Sequence, residues 1–199
     1  MNQNNSYQLL LPLSYRKAYN RENFFVSQSN EIAVNMVDNY PNWNTPALII
    51  IGPKECGKTH LCHVLKERDK NIKIFENIDE NINEEILFHQ LNRLNEKVLI
   101  TTKISPVNLK IKSPDLKSRL NAQNTVTIEN PDDNLINAII IKQFIDRGIL
   151  PKPHVIKYIA KHSERSFNFL SKLIGEISDK SVQLKRKITI SFVKEILTN

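Results

Sequence analysis

Apolar residues along this chain follow two patterns, and the change from one to the other divides it. In the first half, short runs rich in Ile, Leu and Val alternate with amphipathic stretches. Ala47–Ile51 reads Ala-Leu-Ile-Ile-Ile, and runs of similar length occur at 72–75, 98–102 and 125–128. Such runs, β-branched and bounded by turn residues, predict buried strands. Between them 31–37 (continuing to Tyr40), the segment after Thr59, 84–95 and 115–120 carry helical spacing. Strands alternating with helices predict a parallel sheet, hence an α/β core.

From Asn130-Pro131-Asp132-Asp133 onward the spacing is helical only. Asn130 reads as an N-cap, Pro131 as the first helical residue, and the two aspartates as partners of the helix dipole. Leu135, Ile136, Ile139, Ile140 and Phe144 share one face, and Gly148 stops the helix. A second helix starts at Pro153 and buries Val155, Ile156 and Ile159. A third carries Phe167, Leu170, Ile174 and Ile177, and a fourth, after Thr189, carries Phe192, Val193 and Ile196. Three parts are expected: an extended arm over 1–22, an α/β core over 23–130 and a helical lid over 131–199.

The first strand runs straight into Gly52-Pro53-Lys54-Glu55-Cys56-Gly57-Lys58-Thr59 and then His60-Leu61-Cys62-His63-Val64-Leu65. This is a G-x-x-x-x-G-K-T phosphate loop between a strand and a helix, the context that such a loop requires. Its backbone N–H groups face an anion, and the helix N-terminus adds positive potential. Lys58 would reach the β/γ-phosphates and the Thr59 hydroxyl would hold Mg2+. Two of the chain's four glycines occupy the loop's fixed positions.

Composition narrows this picture only a little. The 199 residues suffice for a core with a satellite, and the formal charge of +7 fits an acidic partner without requiring one. No run of eighteen apolar residues exists, and the polar start Met1-Asn2-Gln3-Asn4-Asn5-Ser6 is not a signal sequence. Cys56 and Cys62 form no C-x-x-C pair, which suits a reduced, cytoplasmic setting. Lys58 beside Cys56 is expected to favour its thiolate somewhat.

Several segments extend the site. Glu76, at the end of the 72–75 strand, stands where a phosphate-loop enzyme places the acid that holds magnesium through water. Asn77 follows where a carboxylate would polarise the attacking water, and an amide cannot act as a base. Seventeen residues separate Thr59 from Glu76, room for one helix and one strand, so a shortened sheet is expected. Thr101 and Thr102 end a strand expected between the other two, where a hydroxyl can sense the γ-phosphate. Arg119, in Pro114–Leu120 just before a strand, reads either as a solvated helix-end arginine or as a finger that completes a neighbouring subunit's site. Arg165 opens the third lid helix, within reach of the phosphates. Gln8-Leu9-Leu10-Leu11-Pro12-Leu13 suits an extended peptide with apolar anchors and one amide donor.

Together these pieces resemble the DnaA/Hda family, the DnaA-related AAA+ regulators of bacterial replication initiation. The resemblance rests on Gln8–Leu13, Asn23-Phe24-Phe25-Val26, Gly52–Thr59 with His60-Leu61, Leu87-Phe88-His89-Gln90-Leu91-Asn92, Pro114–Leu120, Pro131-Asp132-Asp133, Glu164-Arg165-Ser166-Phe167 and Ile188-Thr189. It implies an AAA+ core with a small all-α lid and ADP or ATP with Mg2+ as cofactors. It implies that Asn23 and Phe24 lie near the base, that Arg165 is the second sensor and that Arg119 is a finger acting in trans. Gln8, Leu9, Leu11, Pro12 and Leu13 are similar to the peptide that docks on the DNA polymerase sliding clamp. The implied role is to sit on clamp-loaded DNA and stimulate ATP hydrolysis by DnaA, which limits re-initiation. DNA is then an indirect partner, a membrane is none, and homo-oligomerisation stays open.

Three departures bear on turnover rather than fold. Glu55 stands where the family usually has glycine, Glu76-Asn77 weakens the handling of metal and water, and the sheet is short. Two other readings stay open. One is a self-sufficient P-loop ATPase or kinase. The other is an initiator-type DNA-binding protein, disfavoured because no helix-turn-helix segment follows the lid.

Overall fold

A computed structural model describes residues 24–93 and 96–198. Its sheet has four parallel strands, β1 (Ala47–Ile51), β2 (Lys73–Phe75), β3 (Val98–Thr102) and β4 (Asn124–Thr127), in the order β2-β3-β1-β4. The helices between them are α1 (Glu31–Asp38), α2 (Lys58–Arg68), α3 (Glu84–Leu91) and α4 (Pro114–Asn121). The two central strands are the two most deeply buried runs. Ile49 sits in register with Ile100 of β3 on one side and Thr125 of β4 on the other. The edge strands are short and more polar, which leaves little bare backbone for unwanted pairing.

Strand alternation divides β1 between two cores. Leu48 and Ile50 pack with Leu61, Leu65, Val34 and Val37 under α1 and α2. Ala47 and Ile49 pack with Leu87, Leu91, Leu116 and Leu120 under α3 and α4. Each fully buried Leu or Ile here contributes roughly 1.5–3 kcal/mol. The short sheet expected from the Thr59–Glu76 spacing is present, since α2 leads to β2 with no strand between them.

The remaining helices, α5 (Asp133–Ile145), α6 (Pro153–His162), α7 (Phe167–Gln183) and α8 (Ile190–Leu197), form a bundle with a separate core. Phe144, Val155, Ile159, Ile174 and Phe192 lie at its centre. Several boundaries differ from those expected, with α1 stopping at Asp38 rather than Tyr40 and β2 starting at Lys73 rather than Ile72. Asp132, not Asn130, caps α5, its carboxylate accepting from Leu135 N at 2.8 Å, so Pro131 lies outside the helix. Helix α3 ends at Leu91, four residues short of Asn95, because Asn92 N turns back to His89 O at 3.3 Å. Strand β4 is shifted one residue earlier and ends at Thr127. The 1–22 arm, with Gln8–Leu13, lies outside the described residues, as does Asn23.

Candidate nucleotide-binding site

The phosphate loop leaves β1 at Gly52 and enters α2 at Gly57. Both glycines are required by what surrounds them. A Cβ on Gly52 would lie 2.6 Å from Cys56 Sγ and 3.0 Å from Ile128 O. Gly57 has φ 105°, and a Cβ there would press the Phe24 ring at 3.1 Å. Side chains of Asn83, Ser113, Asp132, Ser166 and Thr189 cap α3, α4, α5, α7 and α8. No side chain caps α2, as none caps α1 or α6, and the α2 start lines a cleft with Gly57, Lys58, Thr59 and His60, where its amides can meet an anion.

Lys58 is buried, and its ammonium donates to Gly52 O and Pro53 O, each at 2.7 Å. These bonds satisfy a charge that would otherwise be expensive to bury, and they hold it at the loop's centre. Thr59 Oγ1 donates to Glu76 Oε2 at 2.8 Å, so the two residues expected to share a metal do meet. Mg2+ is commonly bound through one or two carboxylates plus water and phosphate oxygens, and one hydroxyl with one carboxylate fits that habit. No group of three or more His, Cys, Asp or Glu side chains converges among the described residues.

The loop floors a cleft of about 500 Å³ whose opposite wall is the lid. Its lining includes the apolar Phe24, Phe25, Leu135, Ile139 and Phe167 together with the cationic Lys54, Lys58 and Lys103, the Thr59 hydroxyl and the carboxylates of Glu55 and Glu80. His60 also lines the cleft, its ring edge-on to Phe24 with centroids 5.0 Å apart. Aromatic and aliphatic side chains beside an anion-binding loop suit a ligand that carries both an aromatic base and phosphates. Lys103 ion-pairs with Glu80, and that hydrogen bond, more than the charges of Glu80 and Asp79, holds its pKa above the ordinary lysine value.

Glu55 carries a feature the sequence did not disclose. Its φ is 64°, a left-handed conformation that glycine adopts freely and glutamate does not. Its carboxylate accepts from Asn168 Nδ2, on α7, at 3.0 Å. The lid and the phosphate loop are thus joined by a hydrogen bond between residues 113 positions apart.

Other expected site residues lie differently. Arg165 does not line the cleft; its guanidinium pairs with Asp133 Oδ1 at 2.6 Å and reaches Pro131 O at 3.3 Å, across the start of the lid. Thr101 and Thr102 are fully buried and their hydroxyls serve the backbone. Thr101 Oγ1 accepts from Asn77 N at 3.0 Å, and Thr102 Oγ1 donates to Ile104 O at 3.0 Å, so neither faces the cleft as a sensor. Cys56 is corrected in sign: burial raises its thiol pKa, and the attraction of Lys58 only partly offsets this. Arg119 is exposed on α4, away from the cleft, with its guanidinium 5.3 Å from the Phe88 ring centroid.

Residues 133–197 match the family model described as "Hda, lid domain". Over 96% of its length the chain is 26% identical to the chromosomal replication initiator protein DnaA of Buchnera aphidicola subsp. Cinara cedri, covering 55% of that protein. The DnaA of Porphyromonas gingivalis W83 is 22% identical over 89% of this chain and 48% of its own. The chain is thus related in sequence and fold to DnaA, and its residues 133–197 form an Hda-type lid. Among solved structures, domain III of Thermotoga maritima DnaA shares the fold with a TM-score of 0.77 at 18% identity, over 92% of this chain and 97% of that one. AMPPCP-bound DnaA from Aquifex aeolicus gives 0.73 at 18% identity, over 84% of this chain and 67% of that one. This DnaA-related chain spans about half the length of the DnaA sequences it matches. No described helix is long and apolar enough to cross a membrane.

Proposed function

We propose that this chain is a regulatory AAA+ module that binds ADP or ATP with Mg2+ in the cleft under its lid. It docks on the sliding clamp through Gln8–Leu13 and promotes hydrolysis of the ATP held by DnaA. The observation that carries the nucleotide part is the uncapped start of α2 beside Lys58 and the Thr59–Glu76 pair, in a cleft that aromatic and aliphatic side chains also line. AMPPCP bound to a DnaA of the same fold supports an adenine nucleotide. In this reading Lys58 and the α2 amides neutralise phosphate charge, Thr59 and Glu76 hold the metal, and Phe24 packs by the base. The ion would screen the β- and γ-phosphates. Asn77 cannot take a proton from water, so the chain's own turnover is slow.

Arg119 supports action on a partner, because it stands exposed outside this chain's own cleft. Domain boundaries at 22/23 and 130/131 belong to the same reading, with the change of core between Ile128 and Leu135 in its favour. The test is thermal unfolding with and without nucleotide, together with capture on immobilised clamp. Nucleotide at ~100 Kd should stabilise the wild type by about 2.7 kcal/mol. Lys58→Ala should abolish that stabilisation while clamp capture persists. No stabilisation of the wild type by either nucleotide would refute the cleft assignment.

A further inference from the structure

The chain's positive charge is unevenly placed. Residues 133–199 hold 12 Lys and Arg against 6 Asp and Glu, a net of +6, whereas residues 1–132 hold 16 against 15, a net of +1. Within the lid the excess gathers on α6, Pro-His-Val-Ile-Lys-Tyr-Ile-Ala-Lys-His, which contains no acidic residue. Val155 and Ile159 are buried in the bundle. The opposite stripe is His154, Lys157, Tyr158, Lys161 and His162, at the i, i+3, i+4, i+7, i+8 spacing of one helix face. His154, Lys157, Lys161 and His162 are exposed. Lys194 joins them from α8, its ammonium 5.7 Å from the Tyr158 ring centroid.

Four other lid cations have carboxylate partners, Lys142 with Asp146, Arg165 with Asp133, Lys180 with Glu176 and Arg186 with Glu195. Lys157, Lys161 and Lys194 have no such partner among the described residues. Three unpaired lysines on a straight surface, with no acid between them on α6, repel one another unless a polyanion lies across them. Lysine is depleted at protein–protein interfaces but is a principal contact to phosphates. A single-stranded ligand would need free aromatic faces for its bases. Tyr158, the aromatic ring of the stripe, is instead stacked on His162 at 4.2 Å and contacted by Lys194.

We infer that the α6 face of the lid, with Lys194 of α8, is a contact surface for the phosphate backbone of duplex DNA. The contact is independent of sequence and supplements any DNA proximity that a clamp would supply. Ten helical residues span about 15 Å, and duplex DNA presents one phosphate per ~1.7 Å of axis, so all three lysines can reach phosphates together. The surface lies outside the nucleotide cleft, and none of its residues lines that cleft.

The test uses the full chain without clamp or DnaA. Binding to a labelled duplex of arbitrary sequence is followed by anisotropy across a salt series. The double variant Lys157→Gln, Lys161→Gln should bind at least tenfold more weakly at low salt. Its log–log salt slope should be flatter by roughly 1.8, two phosphate contacts at ~0.9 each. A control, Lys70→Gln with Lys73→Gln on the core, removes the same charge elsewhere and should change neither quantity. Nucleotide-dependent stabilisation, unchanged in both variants, verifies that each is folded. An equal loss in both variants would show that net charge alone drives binding and would overturn the assignment. So would wild-type binding that the α6 substitutions leave intact. Failure of the wild type to bind duplex while it binds polyglutamate through α6 would assign the face to an acidic protein and overturn it as well.

Discussion

Replacing Glu55 with glutamine removes a negative charge from the phosphate loop and leaves the other demands of that position in place. The backbone stays at φ 64°, and a glutamine Oε1 can still accept from Asn168. What changes is the repulsion between the side chain and a bound phosphate. At about 6 Å, with an effective dielectric between about 20 and 80, two unit charges repel by roughly 0.7–3 kcal/mol. Glu55 is only partly buried, so screening favours the middle of that range, about 1.4 kcal/mol or tenfold in affinity. Glu55→Gln should therefore bind nucleotide about tenfold more tightly by calorimetry, with the gain shrinking as salt is raised. Glu55→Gly removes the same charge and should gain similarly in affinity, while the left-handed conformation it relieves, worth roughly 1–2 kcal/mol, bears on the stability of the fold. In the absence of nucleotide that relief is largely offset by the lost lid hydrogen bond, roughly 0.5–1.5 kcal/mol, and by glycine's greater entropy when unfolded. Affinity of Glu55→Gln equal to or below wild type at low salt would refute the argument that the carboxylate opposes the phosphates.

Removal of residues 1–13 should abolish capture on the sliding clamp and leave the melting temperature within a degree or two; equal capture would show that the peptide is not the anchor. Cys56 should alkylate more slowly than a free cysteine at pH 7.5. Its thiolate fraction is held down by burial, so the midpoint of its pH–rate profile should lie above that of a free cysteine, and a midpoint at or below the free-cysteine value would contradict that direction. Tyr40 has its pKa pushed up to about 12, mainly by burial and then by the bond to Asp69. The neutral phenol is the form that the fold favours, so its stabilising contribution is complete below pH 10 and is lost as pH rises from 10 to 12. Tyr40→Phe should flatten denaturant-measured stability across that interval. Phe144→Ala, at the centre of the lid core and fully buried, should cost about 3–5 kcal/mol in denaturant unfolding.

The fold was largely legible because it rests on local periodicity. Ala47–Ile51 and Val98–Thr102 are too short and too apolar to be surface helices, and the loop Gly52–Thr59 requires a strand before it and a helix after it. The position of β3 between β1 and β2 was also anticipated. Where several signals for the same event stand side by side, as in Asn130-Pro131-Asp132-Asp133, the helix start was displaced by two residues. The candidate site was less legible, because its side chains choose partners remote in sequence. The Thr101 hydroxyl serves Asn77, 24 residues earlier, which periodicity does not encode. Glu55 meets Asn168 only once the lid has folded over the loop. Arg165 was read by its place at a helix start, but Asp133 stands close enough to take its guanidinium. The lid residues Leu135, Ile139 and Phe167 were read as core positions, and the wall they give the cleft has no signature beyond apolarity.

The central claim is that this chain acts on the nucleotide of a DnaA subunit through Arg119. An arginine's planar, delocalised charge can neutralise a partner's γ-phosphate as it leaves, a role worth roughly 10³–10⁵ in rate where an arginine finger operates. The most direct measurement is single-turnover hydrolysis of ATP preloaded on DnaA, with clamp-loaded DNA and this chain present. The account predicts that wild type accelerates hydrolysis and that Arg119→Ala and Arg119→Lys both lose the acceleration, while clamp capture and nucleotide-dependent stabilisation are retained. Acceleration by Arg119→Ala equal to that of wild type would contradict it.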